Sequence, residues 1–144
     1  LNGHGGNVAP VKGVIEQWKL HLTSVYGNPI SSNISRNIET HIDYTNALLN
    51  RDSSGVDLRF NSYWDLIPSD FAENVMESGH YPGHAGEFET SIAMEIFPGN
   101  VEEDAIQYNN DIESSSATAD KGRLLIEKAI DGTTALVTEM LSGI

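Results

Sequence analysis

The segment "HAGEFETS", His84 to Ser91, sets an imidazole five residues before a carboxylate, with a second carboxylate, Glu87, between them. A neutral imidazole and the Glu89 carboxylate are suitable ligands for Zn²⁺ or Mn²⁺. The same pair suits general acid/base work, because an imidazole changes charge near neutral pH. Glu89 immediately precedes an expected helix start at Thr90, so a capping carboxylate is the plainer alternative. The stretch "LNGHGGN" sets His4 among Gly3, Gly5 and Gly6. Glycines allow turns that a β-carbon forbids and let another group come close. His4 is then either presented in a crevice at a strand's carboxyl end or incidental to ordinary Asn-Gly and Gly-Gly turn chemistry. His80, in "GHYPGH", also sits in a glycine-rich loop, where functional side chains are usually presented. His21 and His41 fall inside expected helices and read as packed or solvent-facing side chains. A metal site needs three or four ligands. The candidates are His4, His84 and Glu89, and no compact motif such as HExxH unites them.

The elements that must position these residues follow from the apolar spacing. Val11, Val14, Ile15, Trp18, Leu22 and Val25 repeat at helical spacing, with Pro10 in the first turn and Gly27 at the end. Residues 28–36 read as loop. Ile38, Ile42, Leu48 and Leu49 predict a second, weaker helix ending near Asn50. Val56 to Trp64 alternate apolar and polar residues and predict a strand. Ser69 and Asp70 are expected to cap a short helix through about Ser78, followed by a loop over 79–89 and a helix over 90–97. Residues 99–116 read as irregular, and a long helix is predicted from about Thr118 to Leu141. One strand cannot make a sheet, so either further strands come from outside the chain or the fold is mainly helical. A glycine-rich turn before a helix usually follows a strand, which favours the first option.

Composition narrows the partners. The chain has 144 residues, enough for one domain with one core. Eight Lys and Arg face 21 Asp and Glu, a net charge of −13. An acidic surface repels phosphate backbones and anionic lipid, so neither nucleic acid nor a membrane is an expected partner. The absence of cysteine removes disulfides, thiolate nucleophiles and Cys-based zinc sites. It fits a reducing compartment, and the expected location is cytoplasmic. No apolar run has the length of a membrane span, and no signal peptide is visible.

Taken together, "NGHGGN", "SYWD" (62–65), "GHAGEFETS" (83–91) and "SSATADKG" (115–122) occur in an order that resembles creatininase-type amidohydrolases. The resemblance covers nearly the whole chain and matches the family's C-terminal half. It implies an α/β fold, a parallel sheet flanked by helices in a three-layer sandwich, with residues 1–144 forming the C-terminal part as one domain. It implies a two-metal site, Zn²⁺ and/or Mn²⁺, that hydrolyses C–N bonds of cyclic or linear amides, in a homo-oligomer that is often a hexamer. By position His4 and Glu89 resemble metal ligands. His84 resembles the proton-handling histidine, Trp64 resembles an aromatic wall of the substrate pocket, and Gly5 and His80 fall beside the substrate.

Three departures from the pattern matter. The family's other ligands, a Glu-x-His segment and an aspartate, belong to its N-terminal half, so an upstream polypeptide or another subunit is expected to supply them. Gly6 stands where creatinine-hydrolysing members carry a glutamate, and His80 where they carry a tryptophan. Both changes count against creatinine itself, and a second enzyme reading keeps the scaffold with another substrate, such as a formamide or another cyclic amide. Residues 28–55 are longer than the usual connection and read either as a surface insertion or as a substrate-covering or oligomer-contact segment. An inactive subunit acting in assembly is the alternative to an enzyme.

Overall fold

The computed structural model describes residues 1–26, 56–106 and 112–142. The expected helix near 38–50, the loop at 28–36, His41 and the long connection at 28–55 lie outside the described residues. The chain divides into two compact units, residues 1–62 with 140–144, and residues 63–139.

In the first unit, a 3₁₀ turn at Gly5–Asn7 runs directly into helix α1, Val8–Tyr26. Its apolar side chains Val11, Val14, Ile15 and Leu22 are half-buried, as their spacing predicts. The expected strand does not form. Residues 56–61 carry no regular structure, and Asn2 and Ser62 make a single parallel bridge. The physical reason lies in the partner. A ladder needs several successive free backbone groups, but the backbone beyond His4 closes into the 3₁₀ turn and α1. Its N–H and C=O groups are therefore spent locally. Among the described residues there is no strand and no sheet, which overturns the α/β reading with a parallel sheet flanked by helices.

The second unit is built of helices and tight turns. A 3₁₀ turn at Tyr63–Leu66 leads into α2, Ser69–Val75. After a loop comes α3, Glu87–Ile96, and a 3₁₀ turn at Pro98–Asn100. A short α4, Glu103–Ile106, a 3₁₀ turn at Ile112–Ser116 and the long α5, Ala119–Ser142, complete the order. Trp64, Ile67, Ala72, Met76, Phe88, Ala117 and Leu125 are its buried apolar residues. Phe88 stacks on Tyr63 at 5.9 Å and meets the edge of Tyr81 at 4.9 Å, two aromatic geometries that add to area burial.

Two helix boundaries differ from the spacing argument. α2 stops at Val75 rather than near Ser78, and Ser69 and Asp70 lie inside its first turn instead of capping it. The amides of Glu77 and Ser78 are taken by the Glu87 carboxylate, which draws the chain out of the helix. α3 begins three residues early, at Glu87, because Glu87 and Glu89 both suit the positive end of a helix. α1 and α5 match their predicted spans closely. No described helix is long and apolar enough to cross a membrane.

Candidate functional site

The His4 turn is organised by Asn2, which is 93 % buried. Its backbone N–H donates to the Asn61 carbonyl at 2.9 Å. Its side-chain Nδ2 donates to the His4 carbonyl at 2.9 Å and to Ser62 Oγ at 3.0 Å. Its Oδ1 accepts from the His4 N–H and from Asn7 Nδ2, both at 3.2 Å. One asparagine thus fixes the backbone on both sides of His4. The His4 Nδ1 accepts from the Gly6 N–H at 3.0 Å. A β-carbon at residue 6 would stand 3.0 Å from the His4 ring, so glycine gives that ring its seat.

In the second unit, the loop between α2 and α3 carries His80 and His84. His84 and Glu89 are brought together: Nδ1 lies 3.6 Å from Oε2. The His84 side chain is 90 % exposed and Glu89 33 %. Glu89 is the third residue of α3 and reaches back over the helix start. Its Oε2 accepts from the Ala85 N–H at 2.7 Å, and Thr90 Oγ1 donates to the Ala85 carbonyl at 3.1 Å. These bonds hold Ala85 at φ +52°, a conformation that costs a residue with a β-carbon. Capping and ligation are therefore compatible at Glu89, since one carboxylate oxygen makes the capping bond.

His80 pairs with Glu113, on the 3₁₀ turn before α5. Trp64 is buried, lies edge-on to Tyr63 at 5.1 Å and accepts the Tyr81 hydroxyl at its carbonyl. Gly5 opens the 3₁₀ turn after His4. Glu89 also lines an open cavity of about 620 Å³ with Ala85, Ala93, Val101, Ala105 and Ser114.

Two charged residues support this loop: Glu87, which the motif gave only as the carboxylate between His84 and Glu89, and Lys121, to which it gave no role. Glu87 is 99 % buried. It accepts from the N–H groups of Glu77 (3.0 and 3.1 Å) and Ser78 (2.8 Å) and from Lys121 Nζ at 2.5 Å. Burial pushes the Glu87 carboxyl up, but Lys121 and the Ser78 and Glu77 amides outweigh it and hold the group below its ordinary range. Burial likewise pulls Lys121 down, and Glu77 and Glu87 together hold it above its ordinary value. Tyr63 is pushed up to about 12, first by burial and then by the negative charge of Glu89. Tyr81 reaches about 12 through burial, with Asp65 and Tyr63 adding to it. A signal for the pair was present: Lys121 is one of only 8 basic residues and stands inside the "SSATADKG" segment.

The donor chemistry of Glu89 and His84, one carboxylate and one imidazole, fits a borderline divalent cation. Among the described residues no group of three or more His, Asp or Glu side chains converges to hold a metal. A family model described as creatininase, creatinine amidohydrolase, matches residues 1–116. The chain belongs to the creatininase family. Creatininase-family proteins are amidohydrolases and generally metal-dependent. Comparison with curated proteins and with solved structures returned no match. The creatininase match takes in both glycine-rich segments that carry His4, His80 and His84, and it includes Glu89.

Proposed function

We propose that this chain is part of a divalent-metal-dependent amidohydrolase that cleaves a C–N bond of a small cyclic or linear amide. The observation that carries the reading is the pairing of His84, on an exposed loop, with Glu89, in the first turn of α3 beside an open cavity, 3.6 Å apart, in a chain of the creatininase family. Glu89 and His4 are each assigned as a ligand of Zn²⁺ and/or Mn²⁺ by the family resemblance, with the remaining ligands coming from an upstream polypeptide or another subunit. When bound, the metal supplies an acidified water and polarises the amide carbonyl. Exposed His84 carries a proton to the leaving nitrogen, and Glu89, tethered at Ala85, keeps that imidazole within reach. Trp64, Gly5 and His80 border the substrate. Gly6 and His80 favour an amide other than creatinine. A homo-oligomer, hexameric by family, in the cytoplasm completes the proposal, and the net charge of −13 supports a small-molecule substrate over nucleic acid.

The test uses the natively purified assembly and a panel of cyclic and linear amides. Chelation should abolish turnover, and Zn²⁺ or Mn²⁺ should restore it. His84→Ala should lower kcat by about 10²–10⁴-fold with little change in KM. Turnover that survives complete metal removal sinks the proposal. A second reading, an inactive subunit acting in assembly, draws on the described residues, among which no group of three or more donors converges where a metal needs three or four. An assembly without bound metal and without turnover of any amide would establish it.

A further inference from the structure

The loop that carries His84 is closed by two nested carboxylates. The inner closure is Glu89 on the Ala85 N–H, at 2.7 Å. The outer closure is Glu87, the first residue of α3, on the N–H groups of Glu77 and Ser78 at 2.8–3.1 Å. Glu87 therefore ties the start of the loop to its end. Lys121, from the first turn of α5, fixes that tie from outside. Its ammonium donates to Glu87 Oε1 at 2.5 Å, to Glu77 Oε1 at 2.8 Å and to the Ser116 carbonyl at 2.8 Å. All three donors of the ammonium are used.

A buried ion pair contributes little net stability compared with a well-packed apolar pair of the same volume. It does contribute direction, because each bond accepts only a narrow range of positions. Five bonds converge here on one stretch, Glu77 to Glu87. An apolar plug would fill the space and leave the loop free to slide. The charged pair sets where the loop leaves α2 and where it enters α3.

We propose that Lys121 and Glu87 are positioning residues for His84: their buried pair holds the loop in the path that sets His84 beside Glu89. The inference rests on the reading of His84 and Glu89 as site residues, and it assigns a catalytic role to neither Lys121 nor Glu87.

The experiment is amide hydrogen exchange by NMR on the full chain, wild type against the double variant E87Q/K121M. The double variant removes both charges together, so no unpaired buried charge remains. Exchange at Glu77 and Ser78 reports the direct bonds. Exchange at Ala85 reports the inner closure, which neither substitution touches. Positioning predicts an Ala85 rate raised by at least about tenfold, with amides of α5 around Leu125 unchanged. Opening at Glu77 and Ser78 with Ala85 at its wild-type rate overturns the proposal, as does an equal rise throughout α5. If the double variant does not fold, E87D supplies the same comparison, since it keeps the charge and withdraws the carboxylate by one methylene. A Zn²⁺ titration of the natively purified assembly by calorimetry runs in parallel, with affinity expected to fall about 10–100-fold in the double variant. A wild-type assembly that binds no Zn²⁺ counts against the metal reading alone, and the exchange result still decides whether the Glu87–Lys121 pair holds the loop.

Discussion

Gly122 lies so close to the Ser91 carbonyl that a β-carbon would stand 2.0 Å from its oxygen. Ser91 is fully buried, its Oγ accepts from the Thr118 N–H at 3.2 Å, and Thr118 in turn caps α5 by accepting from the Lys121 N–H at 3.3 Å. The segments "GEFETS" and "SSATADKG" are thus two halves of one helix contact. With no side chain at residue 122 the two helices meet this closely, and Lys121, next to it, bonds Glu87. Motifs far apart in the chain here share one packing requirement.

That contact predicts opposite outcomes for two glycines placed inside helices. Gly122→Ala meets backbone, which cannot rotate away, and should destabilise the protein by at least about 3 kcal/mol or prevent folding. Gly13→Ala, in α1, meets nothing within 4 Å. It should stabilise by about 0.5–1 kcal/mol through helix propensity. Urea midpoints of the two variants check the pair. Equal effects would mean that α3 and α5 are not this close.

Acid should act through Glu87. Its carboxyl is held below the ordinary value of 4.5 in the folded chain. A depressed folded value gives stability that is complete above 4.5 and is lost as pH falls through the folded value. Lys121 is the mirror case, raised from 10.5, so its contribution is complete below 10.5 and fades only at higher pH. Urea midpoints measured from neutral pH downward should therefore fall more steeply below 4.5 for wild type than for E87Q/K121M. Parallel curves would show that the pair adds no acid-sensitive stability.

Much of this arrangement could be read from local pattern, and the part that could not has a common cause. α1 and α5 followed from apolar spacing, since a helix repeats within a few residues. The nearness of His84 and Glu89 also followed from spacing, because a loop and one helical turn span five positions. The alternation from Val56 to Trp64 did not give a strand. Alternation describes side chains, while a strand requires a backbone partner, and Asn2 supplies only one bridge. The Glu87–Lys121 pair joins residues 34 apart on different elements, and no local period announces it. Asn2 stood in plain view within the opening motif, but two of its five hydrogen bonds depend on where Asn61 and Ser62 arrive.

Tyr63 should report the charge on Glu89. Its phenol is raised to about 12, with burial the larger cause and the Glu89 carboxylate the smaller. In a Tyr81→Phe background, Glu89→Gln should bring the Tyr63 ionisation below 12 while burial keeps it above the ordinary 10.0. Site-assigned tyrosine ring NMR in an alkaline titration measures it, since the chain has 5 tyrosines. A raised phenol also means stability that is complete below 10.0 and declines as pH climbs toward 12, so each titration needs circular dichroism beside it. An unchanged Tyr63 value would show that Glu89 does not face the ring.

The sharpest prediction concerns the proton on His4. Nδ1 accepts from the Gly6 N–H at 3.0 Å, so in the neutral ring the hydrogen sits on Nε2. A metal bound at Nε2 would require that hydrogen to leave and Nδ1 to become the N–H. Two donors would then face each other across the Gly6 bond, and the bond would break. A metal bound at Nδ1 would displace the Gly6 N–H directly. Either route predicts the same event: Zn²⁺ loading of the native assembly shifts the Gly6 amide resonance upfield and raises its exchange rate. Ring ¹⁵N shifts then separate the routes, because only Nε2 ligation moves the proton to Nδ1. A Gly6 amide that stays hydrogen-bonded at saturating Zn²⁺ would remove His4 from the ligand set.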